Sequence, residues 1–296
     1  MTTTRTRWAV GALGAALLLA GCGSAASTGS STTAPSATAA PAGGGGAAVL
    51  TAYQKTVAAK TASLALDETI TGTSSGPVTV TATGQLDFAS GDSSFQMSIP
   101  SVGSLDMRLI KPTLYMQFPS GLGVPLPAGK TWVSFNLDSP AATSALGASF
   151  SQLTDSANQS TEGLSYLQAV SPDGVTTVGP ATVRGVPTTE YSATVDLSKA
   201  VQGRSPAVQA LVQKLQAKFG LSSLPIHVWI DAQGQIRRET VDESLTVSGQ
   251  QAQVQVTMEF FDFGAPIDVT PPPASQTADL SSMLGSLAGG GSGSGG

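Results

Sequence analysis

Strict alternation of apolar and polar residues is the feature that most limits the folds open to this chain. It is clearest where Val78, Val80, Ala82, Leu86 and Phe88 are separated mainly by threonine, glutamine and aspartate. A period of two places the apolar members on one face of a β-strand and the polar members on the other. The pattern recurs over 95–99, 105–109, 114–118, 133–137, 191–195, 226–230 and 254–260. The chain is therefore predicted to form a sheet with one dry face and one wet face.

Short turn sequences separate these segments and predict antiparallel neighbours. Examples are Gly76-Pro77, Lys111-Pro112 and Ser248-Gly249. About eleven strands are expected, and the last two, near 235–247 and 251–263, are long. A sheet of this extent twists and curls. The predicted fold class is α+β: a curled antiparallel half-barrel of about eleven strands with helices covering the concave face.

Helical periodicity interrupts the strands in three places. These are 47–62, 141–169 and 206–219. In the first, Leu50, Tyr53 and Val57 share a helical spacing, and in the third Leu211 and Leu215 belong to one apolar stripe. The stripe of the third helix either only covers the core or forms a movable cover over a cavity.

The N-terminus has the layout of an export signal. Residues 8–20 carry no charge, follow Arg5 and Arg7, and end at Leu19-Ala20-Gly21-Cys22. This run of 13 residues is too short for a bilayer span, which needs about 20. The cleavage site resembles that of bacterial lipoproteins, which implies a diacylglyceryl group on Cys22. The alternative is a secreted protein in which this cysteine, the only one in the chain, is free.

Composition divides the chain into four predicted parts. They are a signal peptide over 1–21, a disordered Ala/Gly/Ser/Thr linker over 22–46, a folded domain over 47–270 and a Pro/Gly/Ser-rich tail over 271–296. The linker has too few large apolar residues to bury a core. Three consecutive prolines from Pro271 are expected to stop regular structure before the tail.

Charge argues against a nucleic-acid partner. Without Arg5 and Arg7, the 14 basic residues become 12 against 19 acidic ones, a net charge near −7. Nucleic-acid binding needs a basic surface. We expect no cofactor.

The balance of strands and helices raises the question of a hollow interior. The strands offer roughly 40 inward apolar positions and the helices about 15. A curled sheet with so little helix either closes or leaves room for a ligand. Strand parity proposes these lining residues: Val80, Leu86, Phe88, Met97, Met107, Met116, Ile226, Ile230 and Met258, with Leu211 and Leu215 on the cover. The methionines could equally fill gaps in a solid core.

Catalytic chemistry finds little support. His227 is the single histidine, and its neighbours Ile226 and Val228 place it on the polar face of a strand. One histidine cannot build a multi-histidine metal site, and no motif places a nucleophile beside it. Glu243 shares parity with Val241, so its carboxylate either meets a polar ligand head group or lies beyond the sheet edge.

Three segments carry a family resemblance. They are Lys130-Thr131-Trp132-Val133, the turn Arg184-Gly185-Val186-Pro187, and the strand Leu224–Asp231 with the basic pair Arg237-Arg238 after it. Together with the cysteine and linker, they resemble actinobacterial lipoproteins of the LppX/LprA/LprF/LprG type, which have the LolA/LolB-like lipoprotein-carrier fold. The resemblance implies a half-barrel domain whose hydrophobic cavity holds acyl chains.

The resemblance also implies a function and partners. The predicted protein is a non-enzymatic lipoprotein on the extracytoplasmic face of the cell membrane that binds lipid or glycolipid and carries it. Its predicted partners are that ligand, the membrane through the Cys22 anchor, and a membrane transporter, and it is predicted to be a monomer. The alternatives are a non-catalytic envelope interaction or sensor lipoprotein with a solid core and, third, a hydrolase that uses His227.

Overall fold

The computed structural model describes residues 45–72, 76–100, 102–119, 123, 126–137, 167, 170, 174–202, 209, 212–213, 216, 222–247 and 250–280. Cys22, Leu211 and Leu215 lie outside the described residues. So do most of the predicted helices over 141–169 and 206–219, although the four described positions of the latter are helical.

The described chain contains one long helix, one short helix and twelve strands. In chain order they are α1 (Gly45–Ala58), β1 (Thr61–Thr71), β2 (Val78–Asp87), β3 (Ser93–Ile99), β4 (Gly103–Ile110), β5 (Thr113–Gln117), β6 (Trp132–Asn136), β7 (Thr176–Val183), β8 (Val186–Asp196), α2 (Leu197–Ala200), β9 (Ser223–Asp231), β10 (Ile236–Val247), β11 (Gln250–Phe261) and β12 (Thr277–Asp279). A 3-10 turn, Ala274–Gln276, precedes β12.

All twelve strands form one sheet in the order β12-β6-β5-β4-β3-β2-β1-β11-β10-β9-β8-β7. Every neighbouring pair is antiparallel except β12 with β6, which is parallel. The mostly-β, largely antiparallel prediction is confirmed, but the number of strands is twelve rather than about eleven. The additional strand, β12, lies after Pro271–Pro273, a run of prolines that was expected to stop regular structure.

The described sheet is open and not strongly curled, in contrast to the predicted half-barrel. Bulges bend a strand and increase its local twist, and closing a sheet needs several of them. The described ladders shift register at only two places, between Ile236 and Arg238 and between Thr177 and Gly179. The remaining described ladders keep a regular register, so the sheet twists there without a sharp bend.

Two connections show why these segments form hairpins. Arg184 and Gly185 have φ values of 48° and 79°, the positive angles of the two-residue turn that matches strand twist. Between β9 and β10, one oxygen of Asp231 accepts hydrogen bonds from the backbone N–H groups of Gln233 and Gln235, each at 2.9 Å. Both turns coincide with turn signals in the sequence.

Helix α1 begins two residues before the predicted 47–62 segment, and its buried stripe differs from the predicted one. The buried residues are Gly46, Val49, Ala52 and Thr56, whereas Leu50 is 40% exposed. Tyr53 and Val57 of the predicted stripe pack against the core at its margin, so the prediction is wrong only for Leu50. The helix stops before Lys60, whose φ of 70° turns the chain into β1.

The two edges of the sheet are formed by β7 and β12. Strand β12 has three residues. Strand β7 contains Pro180, which lacks a backbone N–H, and the shift between Thr177 and Gly179. Both features make an edge strand a poor template for further pairing.

Candidate functional site

One face of the sheet, here called the apolar face, consists of the strand positions that share parity with Leu66, Met258 and Val228. Its central row crosses eight adjacent strands. The cross-strand partners in this row are Leu105, Met97, Ala82, Leu66, Met258, Glu239, Val228 and Tyr191. Seven of the eight side chains are hydrophobic, so the apolar surface extends without a polar break except at one carboxyl group.

The nine described residues that parity proposed as cavity lining belong to one hydrophobic cluster on the apolar face. Those that are buried are Leu86, Phe88, Met97, Met107, Ile226, Ile230 and Met258, and those that are partly buried and pack against them are Val80 and Met116. The structure therefore brings these nine side chains together on one face of the sheet. Whether they contact a ligand stays a prediction, as it does for Leu211 and Leu215.

Helix α1 packs on this cluster over β8, β9 and β10. Val49 and Ala52 are almost fully buried there. The hydroxyl of Thr56 donates to the carbonyl oxygen of Ala52 at 2.8 Å and accepts from the backbone N–H of Ile236 at 2.8 Å. This buried pair of hydrogen bonds attaches the helix to the start of β10.

Glu239 carries the single carboxyl group in the central row, and sequence reasoning missed it. Its side chain is 0% exposed, and within the described part of the chain neither carboxyl oxygen has a hydrogen-bond partner. Burial raises the pKa of Glu239 to about 8, because the charged form loses its hydration. A signal was available in the sequence, since Glu239 has the same parity as Val241, but it stands directly after two arginines that suggest a solvated segment.

Two further carboxyl groups occupy the apolar face. Glu68 lies between Val80 and Val256 in the ladders and is 7% exposed, and Glu243 faces Val254 and is half-buried. Burial raises the pKa of Glu68. Burial also raises the pKa of Glu243, opposed by a backbone hydrogen bond from Ser244. Glu243 thus lies within the β10–β11 ladder, and its contact with a ligand head group stays a prediction.

The opposite, polar face consists of positions that share parity with Asp67, Thr257 and His227. Several of its charged groups are paired. Arg184 and Arg238 both bind Glu259, the first at 2.8 Å. Partial burial of Glu259 is outweighed by the hydrogen bonds from the two arginines, which lower its pKa.

His227 lies on the polar face, as alternation predicts. Its Nδ1 is 2.7 Å from Oε1 of Glu190, and its ring stacks with Trp229 at 6.0 Å between centroids. This half-exposed pair resembles a surface ion pair more than a catalytic one. In the described ranges, no group of three or more His, Cys, Asp or Glu residues could hold a metal ion.

A groove of about 470 Å³ opens on the polar face, where the chain after β11 passes over the sheet. Arg108 forms one wall by donating to the carbonyl oxygen of Thr270 at 2.8 Å. The other lining residues are mainly polar: Ser63, Leu64, Thr83, Gly84, Gln85, Ser94, Phe95, Gln96, Asp106, Met107, Phe261 and Asp268. A hydrocarbon chain would desolvate these hydroxyl, amide and carboxylate groups at a cost. This groove is therefore a different feature from the apolar cavity that the sequence predicts.

In the described segments, no helix is both long enough and apolar enough to cross a membrane.

Comparison with known proteins gives distant similarities. No protein-family model matches the chain. Over 218 residues it is 27% identical to an uncharacterized 31.2 kDa protein in the rplA-rplJ intergenic region of Streptomyces griseus. That match covers 71% of this chain and 66% of the relative, so the chain spans slightly less than two thirds of the relative's length.

Among solved structures, the chain is similar to two mycobacterial lipoproteins. LprF from Mycobacterium bovis matches at 14% identity and a TM-score of 0.41, over 77% of this chain and 98% of LprF. LppX from Mycobacterium tuberculosis matches at 14% identity and a TM-score of 0.40, over 76% of this chain and 99% of LppX. A LolA superfamily protein from Nitrosomonas europaea matches at 5% identity and a TM-score of 0.25, over 76% of this chain and 94% of that protein. LppX and LprF are among the lipoproteins that the sequence resembles.

Proposed function

We propose that this protein is a cell-envelope lipoprotein, anchored through Cys22, that binds the acyl chains of a lipid or glycolipid on its apolar face and carries them without catalysis. The observation that carries the proposal is the apolar surface of the central row, in which Glu239 is the one carboxyl group, together with the hydrophobic cluster around it. Removal of acyl chain from water contributes about 0.8 kcal/mol per CH₂ group. Two chains of ordinary length would therefore bind strongly to such a surface.

The methionines support this proposal. Met97, Met107 and Met258 are 7–8% exposed and lie on three different strands of the face. Methionine is unbranched and adapts its shape to irregular partners. A surface containing three of them can repack around acyl chains of different length.

The finer part of the proposal concerns the cover. We propose that the helix predicted over 206–219 covers the apolar face of the sheet. The apolar stripe with Leu211 and Leu215 supports this, because such a stripe needs an apolar surface to pack on.

The test is native mass spectrometry of the mature chain with Cys22→Ser, purified from its native host. We expect protein ions with additional masses that disappear after denaturing extraction and that appear as lipid in the extract. A clean mass of the protein alone, together with no uptake of added acyl lipid, would reject the carrier function.

A matched pair of variants locates the ligand on one face. Met97 and Gln96 are neighbours on β3 that face opposite sides of the sheet. Met97→Gln is expected to weaken lipid binding about tenfold, because an amide would be buried against hydrocarbon. Gln96→Met should leave the affinity unchanged, since its side chain lies on the polar face. Equal effects of the two variants would place the ligand elsewhere.

The alternative function, an envelope interaction or sensor lipoprotein with a solid core, also has an observation in its favour. Seven of the proposed lining residues are buried by neighbouring residues of the protein itself. A core that is already filled takes up no acyl chain, so the same mass measurement decides between the two functions.

A further inference from the structure

The fully buried Glu239 lies in the part of the molecule where a carboxyl group is least expected. Its neighbours across the ladders are Met258 on β11 and Val228 on β9, and its own strand continues on the same face with Val241. None of these side chains can donate or accept a hydrogen bond of ordinary strength. Burying a polar group without such a partner is costly. The carboxyl group therefore needs a partner that the described chain does not supply.

The chemical form of Glu239 limits what that partner can be. In an apolar environment the neutral carboxylic acid is favoured over the carboxylate, and burial raises the pKa of Glu239 to about 8. A neutral acid has one O–H donor and one free carbonyl acceptor. Its partner must bring an oxygen acceptor, and an uncharged oxygen such as a hydroxyl or an ester carbonyl can be buried beside it without the cost of burying a charge.

The other carboxyl groups on this face, those of Glu68 and Glu243, become negative when they ionise. Glu68 and Glu243 lie on either side of Val256 and Val254, within a few residues of the central row. The regular strand positions of this face, in the ladders that the structure describes, include no lysine or arginine. Arg238 and Arg108 lie on the polar face, and Arg237, at the register shift, binds Asp231. An anionic lipid would therefore meet like charges and no counter-charge.

Given the proposed function, on which this inference rests, we propose that the apolar face selects uncharged lipids that carry a hydroxyl or ester oxygen. Glu239 donates a hydrogen bond to that oxygen, and Glu68 and Glu243 disfavour anionic head groups. The three glutamates are thus specificity-determining residues, while the hydrophobic cluster supplies most of the affinity.

The test compares two lipids with the same acyl chain, monopalmitoylglycerol and palmitate, by equilibrium dialysis at pH 7. The protein is the mature chain with Cys22→Ser. We expect the glyceride to bind at least about tenfold more tightly than palmitate, because the palmitate carboxylate would lose its hydration on a face that offers no counter-charge. Equal binding, or tighter binding of palmitate, would overturn the inference and leave the proposed function intact. If neither lipid binds, both proposals fall.

Variants assign the preference to named residues. Glu239→Leu should lower the affinity for the glyceride about tenfold, whereas Glu239→Gln, which still donates from an amide N–H, should retain most of it. Unchanged glyceride affinity in a folded Glu239→Leu protein would contradict the role of Glu239.

A second set of variants does not depend on the folding of Glu239→Leu. The double change Glu68→Gln and Glu243→Gln should raise palmitate affinity severalfold, with glyceride affinity unchanged, because two potential negative charges are removed. The matched control is Asp242→Asn, one residue from Glu243 and on the polar face, where Asp242 accepts a hydrogen bond from Gln255. Palmitate affinity that does not change in the double variant, or that changes equally in the control, would overturn the selection by charge.

Discussion

Glu239 and Glu259 occupy adjacent rungs of the β10–β11 ladder, yet their carboxyl groups meet opposite environments. Glu239 faces Met258 on the apolar face and has no hydrogen-bond partner among the described residues, whereas Glu259 faces Arg238 on the polar face and also binds Arg184. The pKa of the first is raised and that of the second is lowered. A displacement of one residue along a strand thus decides whether a carboxyl group is neutral or charged at neutral pH.

This contrast indicates what each face is for. The polar face pairs several of its charged side chains with one another, as in Arg184 and Arg238 with Glu259 and His227 with Glu190. The apolar face keeps a polar group that costs stability and serves no described internal contact. Polar groups of this kind are frequently associated with binding sites.

The largest expected effect tests whether the two faces differ in energy. Ile226 is fully buried, and His227, its neighbour on β9, is half-exposed. Ile226→Ala should lower the free energy of unfolding by about 2–5 kcal/mol through lost burial and the cavity left behind. His227→Ala should cost less than about 1 kcal/mol, the range for an exposed ion pair. Urea unfolding of both variants measures the difference, and similar losses would mean that the faces are packed alike.

The second effect is the pH dependence caused by Glu239. Its pKa in the folded protein, about 8, lies above the ordinary value of 4.5. Its pH-dependent contribution to the free energy of unfolding is therefore fully present below pH 4.5 and is lost as the pH rises through 8. Between pH 5 and pH 8 we expect the free energy of unfolding to fall by on the order of 3 kcal/mol, and Glu239→Gln should remove most of this decrease.

Other titratable groups near Glu239 determine the control for that experiment. Glu243 on β10 and Glu68 on β1 share its face and have raised pKa values, so they add a smaller decrease of the same sign. Helix α1 contributes Tyr53 to the packed side and Lys55 on the exposed side, while β9 and β11 place no ionisable group on this face. Glu68→Gln is therefore the matched control, with a weaker effect on the slope. A pH profile that is the same in wild type and Glu239→Gln would contradict the assignment.

The smallest expected effect sharpens the comparison from the polar side. Arg238→Met removes one of the two ion pairs of Glu259 and should lower the free energy of unfolding by less than about 1 kcal/mol, since the pair is partly exposed and screened. A double-mutant cycle with Glu259→Gln measures the coupling, and 1 M salt should reduce it. A coupling of several kcal/mol would show that the polar face is as dry as the apolar one.

The sequence predicted the strands because alternation is a local signal, and it is strong in segments such as Val78–Asp87 and Gln250–Phe261. It could not predict that β11 pairs with β1, near the other end of the domain, because strand order is set by long-range packing. Strand β12 was missed because three residues are too short to show a period.

For the candidate site, parity identified nine side chains that the structure brings into one cluster. The same rule, applied to every residue rather than to apolar ones only, would have placed Glu239 beside them. Parity cannot report how deeply a side chain is buried, and this depth is what makes Glu239 unusual. Helical spacing placed Tyr53 and Val57 of α1 correctly against the core but was wrong for Leu50, which is exposed.

The edge strands have a consequence for a protein held at high density on a surface. An open sheet whose border strands were long and regular would recruit the border of a neighbouring molecule through main-chain hydrogen bonds, and tethered molecules would join into fibrous arrays. Strand β12 offers only three residues, and β7 interrupts its ladder with a proline and a register shift. Edge-to-edge association of neighbouring copies is therefore disfavoured at both borders of the sheet.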